Sequence, residues 1–323
     1  MTDSATNPQI APESNAVPTL QPSSTPPASH WLANIFVGPE GLRPGWGLLL
    51  YVALFRLLIL ASQGLLRPNL HHLDGTVWHD LVKNAVIVFS LILPAFVMSR
   101  IEKRPFGSYG LAARGAFGTM FTWGLVWGFV ALSMLLAMLR GAHAFYFGSL
   151  AVHGTRAFKF ALFWAVFFLL VGLVEELLFR GYAQFTLGRG IGFWPTAVLL
   201  SALFGYAHLG NPGESWRGAL SAGLIGFFFC FTLARTGSLW FAVGLHAAWD
   251  WAESYFYGVP DCGGMSPGHL LSSSFHGPAW LTGGSVGPEG SVLVFVVIGA
   301  LFVAFHVLHP ASVPAQLTAD YSR

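Results

Sequence analysis

The sequence predicts an all-α fold, a polytopic transmembrane helical bundle of about eight spanning helices. Three observations predict it. Hydrophobic residues make up 54% of the 323 residues and charged residues only 9%, whereas about a quarter of an ordinary soluble domain is charged. Mean hydropathy is +0.61. The apolar residues also gather into stretches close to the ~20 residues a helix needs to cross a bilayer.

Taken in order, residues 1–40 read as a disordered N-terminal tail. Their first thirty residues are rich in Pro, Ser, Thr and Asn and lack the basic and apolar regions of a signal peptide. The bundle is expected over 41–310, with spans near 44–66, 80–99, 117–139, 158–180, 191–209, 216–234, 237–257 and 290–309, and a C-terminal tail over 311–323. Arg56 and Lys83 interrupt the first two spans. The short 235–237 connection predicts a tight antiparallel pair of the sixth and seventh spans. Gly218, Ala222 and Gly226 form a small-residue row along which another helix can approach closely. The Gly-, Pro- and Ser-rich loop 258–289 contains Phe275, Trp280 and Leu281. It is expected to fold back as a cap and to gate access to the bundle.

Net charge is +2, from 16 Lys and Arg against 14 Asp and Glu. That is too small to imply a nucleic-acid partner; the expected partners are the lipid bilayer and a membrane-associated protein or peptide substrate. Cys230 lies in an apolar run and Cys262 in a loop, so neither a disulfide framework nor a paired-cysteine metal site is suggested. With the N-terminus inside, the cytoplasmic segments hold Arg43, Arg100, Lys103, Arg104, Arg114, Arg180, Arg189, Arg235 and Arg323. The other side holds Arg67, Arg140, Arg156, Lys159 and Arg217. This bias predicts both termini in the cytoplasm, in the inner membrane if the chain is bacterial.

Polar groups inside the apolar runs carry the functional signal. Glu175 and Glu176 are adjacent in the fourth span, and Arg180 follows four residues after Glu176. A charge at the centre of a spanning helix costs at least ~2.5–3.5 kcal/mol. The i, i+4 spacing lets Arg180 pair with Glu176. Glu175, rotated by about 100°, is left for chemistry. Phe204 and His208 share one helical face, and His246 and Asp250 share another. Such groups must face the bundle interior or a water-filled cavity. Two chemistries are open. A carboxylate and an imidazole can activate water while other donors stabilise an oxyanion. Alternatively, Glu175, His208, His246 and Asp250 can hold a divalent metal such as zinc. The structural alternative for the Glu pair is a buried ion-pair network with Arg180, joined by Arg217 or Arg235.

The motifs Glu175-Glu176-Leu177-Leu178-Phe179-Arg180, Phe204-Gly205-Tyr206-Ala207-His208 and His246-Ala247-Ala248-Trp249-Asp250 resemble, in order, the EExxxR, FxxxH and HxxxN/D pattern of the CPBP family. These are the CAAX-protease and bacteriocin-processing intramembrane endopeptidases, which include the Ras-converting prenyl-protein protease. The resemblance covers roughly residues 158–257. It implies eight spans, a conical cavity open toward membrane and cytosol, and peptide-bond hydrolysis near the membrane surface. Position by position, it implies that Glu175 and His208 activate water, that Glu176 and Arg180 orient Glu175, and that His246 and Asp250 occupy the oxyanion site. The eukaryotic enzymes have Asn at the place of Asp250. An ionised carboxylate only accepts hydrogen bonds, so Asp250 either is protonated, orients His246 or binds a metal. Two other functions remain open: a non-catalytic scaffold or bacteriocin-immunity protein using the same cavity, and a proton relay or transporter.

Overall fold

The computed structural model describes residues 34–38 and 41–310. Most of the tail expected over 1–40, and all of that over 311–323, lies outside the described residues. A minimal two-stranded ribbon, β1 (Val37–Gly38) with β2 (Gly41–Leu42), leads into the bundle. The helices are α1 (Pro44–Leu70), α2 (Val77–Ile101), α3 (Thr119–Gly141), α4 (Gly154–Arg180), α5 (Tyr182–Ile191), α6 (Phe193–His208), α7 (Trp216–Thr236), α8 (Trp240–Asp250), the short α9 (Ala279–Thr282) and α10 (Val294–Leu308). The fold is an all-α bundle. Among the described residues, five helical segments are long and apolar enough to cross a membrane: those of α1, α2, α3, α7 and the nearly continuous α4–α5. The other expected spans are helical but shorter. α6 has 16 residues and α10 has 15. α8 has 11, and its chain continues as a π-helix over Trp251–Tyr257.

Boundaries follow from local chemistry. The Thr76 hydroxyl caps α2 by accepting the His79 N–H, and the Ser215 hydroxyl caps α7 by accepting the Gly218 N–H. Gly192, at φ 89°, makes the turn between α5 and α6 that a residue with a Cβ would strain. Helix α5 was not foreseen. Its ten residues lie along one end of the bundle, where Tyr182 donates to Glu102 and Arg189 pairs with Glu102 at 3.0 Å.

Small residues set the tightest helix contacts. A Cβ at Gly124 or Gly128 of α3 would strike the backbone of Phe241 or Leu245 in α8, and one at Gly244 would strike Phe121. Helix α8 is therefore pressed against α3, and not mainly against α7, its expected antiparallel partner. The connection is short, but its length does not decide which faces can interlock. Helices α6 and α7 meet where Gly205 lies against Ala219 and Gly223. The predicted row on α7 has a different use. Gly218 leaves room for the Glu214 carboxylate and Gly226 for the Arg180 guanidinium.

Two ends are defined by loop contacts. At one, Leu239 donates to Gly110 at 2.8 Å and Arg235 to the His309 carbonyl at 3.2 Å. At the other, β3 (Phe145–Tyr146) pairs antiparallel with β4 (Ser274–Phe275). There the 258–293 segment also reaches α4 through the Trp164 indole, which donates to the Pro267 carbonyl at 3.1 Å. Phe275 and Leu281 pack on the main apolar core, whereas Trp280 is half exposed.

Replacing Gly128 by Leu should lower the detergent unfolding midpoint by the equivalent of about 1–3 kcal/mol or more, the usual range for overpacking. Gly64→Ala, at a site with open space around it, should leave the midpoint unchanged or slightly raised. Equal midpoints for Gly128→Leu and wild type would contradict the α3–α8 packing.

Candidate active site

Helices α4 and α8 come together at Gly172, where an added Cβ would sit 3.5 Å from the Cβ of His246 and 3.4 Å from the Val243 carbonyl. One turn later the same face of α4 presents its two glutamates to His246. Glu176 Oε1 accepts from Arg180 Nη1 at 3.2 Å and lies 3.1 Å from His246 Nδ1. An ionised carboxylate can only accept, so Nδ1 carries a hydrogen. His246 Nε2 then faces two further carboxylates, Glu175 Oε2 at 3.5 Å and Asp250 Oδ2 at 3.7 Å. These are ion-pair distances, longer than hydrogen bonds.

Arg180 and Glu176 are fully buried. The Arg180 guanidinium stands 4.2 Å from the centroid of Phe204 and 5.7 Å from that of Phe229, so aromatic faces supply part of what water has lost. Its Nε and Nη2 have no hydrogen-bond acceptor, nor has Glu176 Oε2 a donor. Glu175 differs from its neighbour: its side chain keeps 29% exposure. On α6, His208 Nδ1 donates to the Phe204 carbonyl at 2.8 Å, and its ring meets the Phe204 ring edge-on at 4.5 Å. With Nδ1 protonated, the neutral ring keeps the lone pair of Nε2 as a base.

Glu175, His208, His246 and Asp250 all line one cavity of about 630 Å³. Glu176 and Arg180 stand behind its wall. Phe204, Phe229 and Trp249 contribute apolar surface, and among the described residues no Lys or Arg lines it. It includes residues of the 209–215 and 258–293 loops and none from the loops of the opposite end. Two expectations are therefore mutually exclusive. If both termini are cytoplasmic, this cavity opens away from the cytosol.

The proposed metal set does not converge. Among the described residues, Glu175, His208, His246 and Asp250 bring no three ligand atoms within 4.8 Å of one another; Asp261, Cys262 and Glu289 do. As placed, the four motif side chains fit proton transfer and hydrogen bonding better than metal ligation.

Sequence reasoning missed Glu253, Asp261, Cys262 and Glu289. Glu253 carries a readable signal, because it continues the His246 and Asp250 face at helical spacing. The other three lie in loops, where no periodicity marks them. Burial pushes the Glu289 carboxyl up to about 8, with the Asp261 charge adding to it. Burial also raises Asp261 and, strongly, the Cys262 thiol.

An all-α integral membrane protein with carboxylates and imidazoles meeting in an intrabundle cavity is thus in view. Residues 157–252 match the model of the Rce1-like family, described as type II CAAX prenyl endopeptidase Rce1-like. The resemblance carried by the three motifs holds over α4 to the start of the π-helix, and the family is one of CAAX-type intramembrane proteases. Neither the curated proteins nor the solved structures give a significant match to the chain.

Breaking a buried pair from one side leaves an uncompensated charge, at a cost of about 3–5 kcal/mol. Arg180→Met should therefore destabilise the protein strongly in a detergent thermal melt. Adding Glu176→Gln should recover part of the loss. A double variant no more stable than Arg180→Met would contradict the pairing.

Proposed function

We propose that the protein is an intramembrane endopeptidase that hydrolyses peptide bonds of membrane-associated protein or peptide substrates near the membrane surface. The observation that carries this reading is the meeting of Glu175, His208, His246 and Asp250 on the wall of one cavity, within the segment matched to the protease family. Glu175 combines partial exposure with two neighbours that bias it: His246 at 3.5 Å and, behind that imidazole, the fixed Glu176–Arg180 pair.

In this mechanism a water molecule in the cavity gives one proton to Glu175, and its oxygen bonds to the scissile carbonyl carbon. The carbonyl π pair moves onto oxygen. His208 Nε2 accepts a hydrogen bond from the attacking water and holds it in line. The resulting oxyanion is met by His246 when its Nε2 carries a proton, and by Asp250 when that group carries one. As the C–N bond breaks, the amine takes the proton from Glu175. The carboxylate is thereby regenerated for the next water. The pair of Glu176 and Arg180 touches no substrate; it positions His246.

Glu175→Gln keeps the side-chain volume but cannot take the proton. It should reduce cleavage by at least the ~10²–10⁴-fold typical of a lost general base, with insertion and melting temperature preserved. The assay compares protein termini in membranes carrying wild type or Glu175→Gln at matched abundance, then repeats the comparison with purified protein and a nominated substrate. Identical termini in both would overturn the protease reading and favour the scaffold or immunity role.

The reading places both termini in the cytoplasm, and in a bacterium it places the protein in the inner membrane. The Arg235 end, with Arg43, Arg100, Lys103, Arg104 and Arg189, is the more basic one. The cavity mouth then lies on the outer side, where substrate segments must present the scissile bond. Green fluorescent protein fused after Arg323 should fluoresce, and alkaline phosphatase at the same place should be inactive. The opposite pair of results would turn the mouth toward the cytosol.

A further inference from the structure

Beyond the motif residues, the cavity wall carries a second cluster of ionisable groups. Asp261, Cys262 and Glu289 belong to the loop between the π-helix and α10, and their ligand atoms lie within 4.8 Å of one another. Cys262 Sγ stands 3.6 Å from Glu289 Oε2. A thiolate and a carboxylate oxygen bound to one tetrahedral zinc lie about 3.6 Å apart, from bond lengths of ~2.3 and ~2.1 Å. Cys262 is also held at φ 48°, a left-handed conformation that non-glycine residues seldom adopt.

An independent observation points to a ligand. Glu253 is fully buried, yet neither of its carboxylate oxygens has a hydrogen-bond partner. Its Oε1 would lie 3.0 Å from a Cβ at Gly287, in the turn that leads to Glu289. The Trp249 indole beside it donates to Glu289 Oε1, at 3.0 Å. Glu253 is thus a buried carboxylate beside the turn that carries Glu289. Among the described residues no Lys or Arg lines this wall, which leaves the His246 imidazole to offset part of the charge of Asp261 and Glu289. Such groups are paired, protonated or bound to a metal.

We propose that Asp261, Cys262 and Glu289, backed by the buried Glu253, form a binding site for a divalent transition-metal ion, with zinc the best match to one thiolate among carboxylates. The site is separate from the four motif residues. Its three ligands come from the two ends of the 258–293 segment, so the ion ties those ends together at the cavity wall. The cluster lines the cavity, which gives the ion a route in. Binding exchanges protons for metal: Cys262 loses its thiol proton to solvent, as does any carboxyl that was protonated.

The proposal does not depend on proteolysis, and its test reads metal directly. Full-length protein is purified in detergent without chelator or a polyhistidine tag, and its zinc content is measured. It is then stripped and titrated with Co²⁺. Wild type should hold about one zinc per chain and, with Co²⁺, show a near-ultraviolet thiolate charge-transfer band. Cys262→Ser should abolish that band and at least halve the zinc, as should Glu289→Gln. Glu253→Gln should weaken Co²⁺ binding by about tenfold or more. Glu175→Gln should keep both metal and band. Wild type with negligible zinc and no charge-transfer band would overturn the proposal. So would zinc lost from Glu175→Gln but retained by Cys262→Ser, which would move the metal to the motif residues. Melting temperatures of the variants, taken with excess metal and with chelator, separate loss of the site from loss of the fold. Wild type should melt higher with metal, and Cys262→Ser should show no such difference.

Discussion

The site depends on a guanidinium placed where water cannot follow. Arg180 is fully buried, and burying an ion in a protein interior costs several kcal/mol even after relaxation. Its position is made by subtraction as much as by attraction. Gly226 leaves the volume, the rings of Phe204 and Phe229 supply aromatic faces, and Glu176 supplies the counter-charge. The use of this guanidinium is geometric. It fixes Glu176, which fixes the Nδ1 side of His246, and the opposite nitrogen is then turned toward Glu175 and Asp250.

That chain of constraints needs α8 to stay in place against α4, and glycine provides the means. Gly124 and Gly128 on α3 and Gly244 on α8 bring two backbones into contact. In lipid, where apolar side chains gain little by leaving the solvent, such close packing carries much of helix association. The α-helix then gives way to a π-helix immediately after Asp250. π-Turns recur at functional sites. Here the wider turn carries Glu253 into a buried position while the Trp251 and Tyr255 side chains still donate to carbonyls of α4.

Much of this was legible in the sequence, because lipid leaves few choices. An apolar run must be helical to satisfy its backbone, so helix positions follow from hydropathy, whereas α6, α8 and α10 prove shorter than the five long apolar segments. A charge inside such a run must find a partner, so Glu175, Glu176, Arg180, His208, His246 and Asp250 stand out from the rest. What could not be read is interhelical. Helix α8 chooses α3 over α7 through glycines whose complementarity appears only when both surfaces exist. The short α5 carries too little apolar length to register as a span and merges with the end of α4. Loop groups such as Cys262 and Glu289 sit 27 residues apart, and no spacing rule brings them together.

The loop groups change the electrostatic problem that the cavity poses. Asp80, Glu175, Glu214, Asp250, Asp261 and Glu289 all line it, with only His208 and His246 as groups that can carry positive charge. Six carboxylates cannot all be ionised around one small space without large mutual repulsion. Protons relieve part of it, consistent with Glu289 remaining protonated up to about pH 8 through burial and the Asp261 charge. A proton on the loop carboxyls and a metal ion among them are alternative answers to the same surplus. Either one lowers the negative potential felt at Glu175. That matters for hydrolysis, because the field of nearby carboxylates opposes an oxyanion forming beside them. In the proposed mechanism, charge compensation in the loop leaves His246 to meet the oxyanion and Glu175 to meet the water. On that reading the loop belongs to the electrostatics of the site, although none of its side chains lies in the three motifs.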